Sequence, residues 1–220
     1  MRRDYTHITV ILDRTGSMES IRDDTIGGFN TFLKQQKAEP GKATLTLVQF
    51  DTQDPYEVIH KFKPLKDIPE LTRETFVPRA STPLLDAMGR GINDLADSLK
   101  DISQGKRPTG IVIVIVTDGQ ENSSREFSKD QIAKMVKEKQ EKAGWQFVFL
   151  SADLAAINDA IALGVRQGSA MAFDRTARGT SQAFAASARW VSEYRSGPSK
   201  DVSFTKDDRD HQDAERRRTS

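Results

Sequence analysis

Apolar residues fall along the chain in two alternating kinds of segment. Ile8 to Leu12 and Ile111 to Val116 are short apolar runs rich in β-branched side chains, and each leads into an aspartate, Asp13 and Asp118. Such composition marks strands buried on both faces of a parallel sheet. Ala43 to Phe50 alternates over part of its length, and Tyr56 to Phe62 follows after Asp51 to Pro55, a connection short enough for a hairpin. A fifth strand is predicted at Gln146 to Leu150 and a weaker sixth near Ala170 to Phe173.

The segments between carry helical spacing. Ile21, Ile26, Phe29, Phe32 and Leu33 share one broad face, as do Leu84, Leu85, Met88, Ile92, Leu95 and Leu99, and then Ile132, Met135 and Val136. Leu154 to Leu163 and Thr180 to Tyr194 read as two more helices. Strands alternating with helices predict an α/β fold: a Rossmann-like doubly wound sheet, mostly parallel, with helices on both faces and the Tyr56 to Phe62 strand antiparallel at an edge. Residues 1–195 form the expected domain. The remainder, 196–220, has few apolar residues and ends near Arg216-Arg217-Arg218, and is expected to be a disordered charged tail.

Composition narrows the functions. The 220 residues suffice for one sizeable domain. Lys and Arg number 33 against 32 Asp and Glu, so the overall field attracts neither nucleic acid nor an anionic membrane. With no Cys there are no disulfides or thiolate ligands, and with three His an imidazole site is poorly supplied. No apolar run approaches the roughly 20 residues needed to span a bilayer, and the first residues lack the pattern of a signal peptide. The expected location is cytoplasmic.

Chemistry concentrates at the ends of the predicted strands, where open α/β sheets bind ligands. Asp13-Arg14-Thr15-Gly16-Ser17 follows the first strand, and alternate positions of an extended segment let Asp13, Thr15 and Ser17 point one way. Asp118-Gly119-Gln120-Glu121-Asn122 follows the most apolar strand, and Ala80-Ser81-Thr82-Pro83 precedes a strongly periodic helix that Thr82 is placed to start. Two carboxylates and three hydroxyls are hard oxygen ligands suited to Mg²⁺, Mn²⁺ or Ca²⁺ rather than zinc or copper. They leave the shell incomplete, so water or an outside ligand must fill it.

These residues carry a resemblance. Asp13-Arg14-Thr15-Gly16-Ser17-Met18, with Thr82 and with Val116-Thr117-Asp118-Gly119, is similar to the metal-ion-dependent adhesion site of von Willebrand factor type A (VWA) domains, whose pattern is Asp-x-Ser-x-Ser, a distant Thr and a distant Asp. The likeness spans about residues 6 to 195, and small bacterial or phage VWA proteins are the type it most resembles. Thr15 stands where the family usually has Ser, keeping the hydroxyl and adding a methyl. The resemblance implies hydroxyl ligands at Thr15, Ser17 and Thr82, carboxylates of Asp13 and Asp118 bound directly or through water, and a partner protein whose own carboxylate completes the metal shell.

Plainer readings compete at other positions. Asp51 and Asp153 follow predicted strands on the same rim and read as turn or helix-cap residues. Gly27-Gly28 reads as close helix packing rather than a phosphate loop, since no Lys-Ser/Thr follows. His7, His60 and His211 read as ordinary core or surface residues, and Glu121 as an exposed loop acid. Two function classes follow: a cation-dependent protein-interaction module without enzymatic activity, or a Mg²⁺-dependent phosphohydrolase or phosphotransferase with Asp13 as nucleophile. The second lacks helpers, because the usual general-acid position two residues after the nucleophile is Thr15. A nucleic-acid binder using the terminal arginines is weaker still.

Overall fold

The computed structural model describes residues 4–197 and 201–219. Strand β1 (Tyr5–Asp13) is the axis of its sheet, pairing in parallel with β2 (Lys42–Phe50) on one side and with β4 (Gly110–Thr117) on the other. Strand β3 (Glu57–Pro64) adds antiparallel to β2, and β5 (Gln146–Ser151) and β6 (Ala170–Ala172) extend the other edge in parallel, giving the order β3-β2-β1-β4-β5-β6. All six strands and the antiparallel edge agree with the apolar pattern.

Both faces of the central strands are buried, so both need a cover. Val112, Val114 and Val116 join Ile8, Val10 and Leu12 beneath α1 (Arg22–Ala38) and α5 (Ala177–Ser196). Ile111, Ile113 and Ile115 join Phe147 and Phe149 beneath α2 (Leu84–Asp101), α3 (Lys129–Ala143) and α4 (Leu154–Ala162). Each such aliphatic side chain contributes about 1.5–3 kcal/mol on leaving water. The sheet is held by this two-sided burial rather than by any single contact.

The His7 reading is also met: the ring is fully buried. Its Nδ1 lies 2.8 Å from the Thr44 hydroxyl, and it stacks on Phe62 with centroids 3.8 Å apart. Burial pushes its pKa down to about 3, so it is a neutral core residue. Gly28 behaves as expected too, because a Cβ there would lie 2.3 Å from the Phe184 ring of α5, whereas one on Gly27 would meet nothing within 4 Å. Among the described residues no helix is long and apolar enough to cross a membrane.

The described residues after 195 depart from expectation, while residues 198–200 and 220 of the expected tail lie outside the described residues. Val202 and Phe204 are buried in the α1/α5 core, and α6 (Lys206–Thr219) packs alongside. The Asp208 carboxylate accepts from the Trp190 indole at 2.9 Å and the Thr205 amide at 2.8 Å, and it also pairs with Arg189. Gln212 accepts from the Asp174 amide at 3.1 Å and donates to the Gly179 carbonyl at 3.0 Å. A charged helix fastened by individual polar bonds leaves no apolar periodicity, so composition pointed to disorder where the structure has order.

Two tests follow from this packing. Gly28→Ala is expected to destabilise the fold by about 1–3 kcal/mol through overpacking against Phe184, whereas Gly27→Ala is expected to stabilise it by about 0.5–1 kcal/mol through helix propensity. Urea unfolding of both variants checks the opposite signs. Phe204→Ala is expected to lose about 3 kcal/mol or more, the range for truncating a buried Phe, and an unchanged urea midpoint would mean the segment contributes nothing to the core.

Candidate metal centre

Strand order reverses between β1 and β4: the chain leaves β1 to build one half of the sheet, then returns to build the other. At that crevice Asp13 is the last residue of β1 and Asp118 the first after β4, and both are fully buried. Adjacent parallel strands in register bring their ends together, so two carboxylates far apart in sequence become neighbours.

The hydroxyls complete the cluster. Thr15 is extended, with φ −71° and ψ 166°, as the chain leaves β1 for the 3-10 turn Gly16–Ile21. Its Oγ1 lies 3.3 Å from Ser17 Oγ, which donates to Asp118 Oδ1 at 2.7 Å. Thr82 Oγ1 donates to Thr15 Oγ1 at 3.3 Å. Asp13 is held from two sides, accepting the Thr15 amide on Oδ1 at 2.7 Å and the Thr117 hydroxyl on Oδ2 at 2.6 Å. Asp13, Thr15, Ser17, Thr82 and Asp118 thus form one continuous group of oxygens.

Thr82 reaches this group because other residues do the capping that sequence suggested for it. Helix α2 begins at Leu84, and its opening amides are taken by Glu121, which accepts from Leu85 at 2.9 Å, and by Ser124, whose hydroxyl accepts from Asp86 at 3.1 Å. The Asp86 carboxylate in turn accepts the amides of Arg125, Glu126 and Phe127. Asn122 and Thr82 exchange two bonds, Thr82 amide to Asn122 Oδ1 at 2.9 Å and Asn122 amide to the Thr82 carbonyl at 3.1 Å. From the other side, Gly16 donates to the Ala80 carbonyl at 3.0 Å, and Ala80 is left-handed at φ +59°. The three loops therefore fix one another.

Electrostatics makes the group unusual. Burial raises the Asp13 carboxyl, and Asp118's charge adds to it; together they outweigh the bonds from Thr117 and Thr15 and push the pKa up to about 7. One oxygen of Asp118, Oδ2, is buried without a hydrogen-bond partner. Arg175 Nη2 stands 3.4 Å from it as a neighbouring charge and donates instead to the Asp118 carbonyl. A carboxylate oxygen without a hydrogen bond, beside a second buried carboxylate and three hydroxyls, is the environment a hard divalent cation fits. Among the described residues there is no group of three or more His, Cys, Asp or Glu that could hold a metal, so such an ion would depend on the hydroxyls.

Sequence reasoning gave no role to Thr117 or Arg175. Thr117 could have been noticed as the lone hydroxyl ending an otherwise aliphatic strand; Arg175, remote in sequence, left no signal. Asp51 is a turn residue as read, accepting the Gln53 and Asp54 amides, but is also paired with Arg14 at 2.7 Å and Arg79 at 2.9 Å. Asp153 caps α4 through the Ala155 and Ala156 amides. Glu121, read as an exposed loop acid, is half-buried because both its oxygens serve backbone amides.

Sheet and crevice together describe an open α/β domain with an oxygen-lined cluster at its switch point. No protein-family model and no curated protein matches this chain. Solved structures do. A von Willebrand factor type A protein from Catenulispora acidiphila superposes with a TM-score of 0.58 at 11% identity, over 87% of this chain and 43% of that one. Proximal thread matrix protein 1 from the mussel byssus, solved with a zinc-occupied MIDAS motif, gives 0.59 at 11% identity, over 86% and 46%. Manganese-loaded Plasmodium vivax TRAP protein gives 0.55 at 13% identity, over 80% and 70%. This chain has the fold of VWA domains, and spans less than half the length of the first two of these neighbours.

The raised Asp13 pKa has a definite sign. A carboxyl titrating near 7 in the fold and near 3.8 when unfolded favours the metal-free fold below about pH 4, and this stability is lost as pH rises through about 7. In EDTA, Asp13→Asn is therefore expected to melt higher than wild type at pH 8, with the gap narrowing towards pH 5. A gap independent of pH would show that Asp13 carries no such strain.

Proposed function

We propose that this chain is a divalent-cation-dependent protein-interaction module, in which Asp13, Thr15, Ser17, Thr82 and Asp118 hold the ion and an acidic side chain of a partner protein completes its shell. The observation that carries the reading is Oδ2 of Asp118, buried within the hydroxyl cluster without a hydrogen-bond partner. All-oxygen donors suit Mg²⁺, with Mn²⁺ and Ca²⁺ as alternatives. The zinc and manganese of two fold neighbours lend support to a divalent ion here. When bound, the cation would supply a positive charge that anchors and orients a carboxylate. Beside Thr82 runs an open groove of about 650 Å³, lined by Thr52, Ser81, Pro83, Asn122 and Arg125 among others, which gives the partner's flanking residues a polar surface.

The phosphotransfer alternative is disfavoured by the setting of Asp13. A nucleophilic carboxylate needs one oxygen free to approach phosphorus. Both Asp13 oxygens accept hydrogen bonds and the residue is fully buried. Thr15 cannot serve as general acid in that chemistry.

Binding and turnover separate the two readings. Titration calorimetry with MgCl₂ and MnCl₂ is expected to show one site in the wild type, lost in Asp118→Ala, and thermal stability should rise by about 2.7 kcal/mol at a hundredfold excess over Kd. Thr82→Ser should bind like wild type and Thr82→Ala more weakly. Absence of any cation-dependent shift would sink the module, and Mg²⁺-dependent hydrolysis of p-nitrophenyl phosphate that is lost in Asp13→Asn would favour the enzyme.

A further inference from the structure

Arg175 sits just before Thr176, which caps α5 by accepting the Gly179 amide at 3.1 Å. The preceding backbone is pinned as well: Phe173 donates to Ser151 at 2.9 Å, and Asp174 donates to the buried Gln212 of α6. From this fixed base the guanidinium donates to the Asp118 carbonyl and stands 3.4 Å from Asp118 Oδ2, which accepts no hydrogen bond. The side chain is 48% exposed while Asp118 is fully buried, so Arg175 reaches the cluster from the solvent side, the side from which a ligand must come.

Several other charged groups of these loops are engaged elsewhere. Arg14 pairs with Asp51 and Glu57, and Arg79 with Asp51. Asp153 caps α4 and takes the Gln120 amide at 3.1 Å; that bond, with Arg175's charge as a lesser influence, holds its carboxyl below the usual range. The charges in direct proximity at the centre are those of Asp13, Asp118 and Arg175. Two ionised carboxylates and a divalent cation cancel, which leaves Arg175 as one surplus positive charge. A single incoming carboxylate brings the buried centre to neutrality, the state that low-dielectric surroundings favour.

Resting on the proposed cation site, we infer that Arg175 is a second cation of that site, supplied by the protein, which opposes the metal and favours the acidic ligand. It is a specificity-determining residue: it makes the metal-loaded centre selective for one negative charge and disfavours the metal alone. A residue that merely props up the loop would affect both binding steps in the same direction. A charge placed here affects them oppositely.

The full chain with Mn²⁺ gives the test, because water-proton relaxation reports Mn²⁺ binding directly and falls when a carboxylate displaces bound water. Sodium acetate is the probe carboxylate, and melting in EDTA checks that each variant is folded. Arg175→Ala is expected to bind Mn²⁺ roughly fivefold more tightly and acetate roughly fivefold more weakly, the scale of a half-exposed ion pair. Arg175→Gln keeps a donor for the Asp118 carbonyl without the charge and should show the same split; Arg175→Lys keeps the charge and should stay within about twofold of wild type. If both affinities weaken together in the Gln variant, or neither changes, Arg175 is structural and the inference is overturned while the metal site stands. If wild type gives no Mn²⁺ relaxation enhancement, the metal site itself fails and this inference with it.

Discussion

Two carboxylates, Asp13 and Asp118, are buried side by side where β1 and β4 end, and the rest of the rim is arranged around that burial. Burial raises the affinity of Asp13 for a proton, with the charge of Asp118 adding to it, and Oδ2 of Asp118 has no hydrogen-bond partner. Thr117 and the Thr15 amide relieve part of the strain on Asp13, and Ser17 relieves part of that on Asp118. Arg175 supplies the nearest opposite charge. None of these gives Oδ2 of Asp118 a hydrogen bond.

That arrangement explains why the loops are so heavily laced. A cluster of hydroxyls serves one ion only if each oxygen is held in place, and none of the three hydroxyls lies within a strand. Thr82 is positioned by two bonds with Asn122, while Glu121, Ser124 and Asp86 tie the same loop to the start of α2. Backbone amides that would otherwise need capping become the fasteners.

Much of this was legible from residues alone. Apolar runs at Ile8 to Leu12 and Ile111 to Val116 gave the central strands, and the spacing of Asp13, Thr15 and Ser17 pointed to a shared direction. What could not be read was long-range. Arg175 lies in an ordinary polar stretch, and only the fold carries it to Asp118. The segment holding Val202 and Phe204 looked solvated because two apolar residues among many charges fall below any periodic signal, yet two side chains suffice to close a gap in a core whose shape is already set. Thr82's role as helix starter was a sound local inference, overridden by Glu121 and Ser124 from a distant loop.

The seam between β1 and β4 also bears on the order of events as the chain folds. Asp13 and Thr117 are 104 positions apart, so their contact requires closing a long loop and docking the second half of the sheet onto the first. An ion gripping Asp13 and Asp118 together has no complete binding place until that seam is closed. It would act as a latch on the finished molecule, lengthening the lifetime of the native state while leaving the rate of reaching it unchanged.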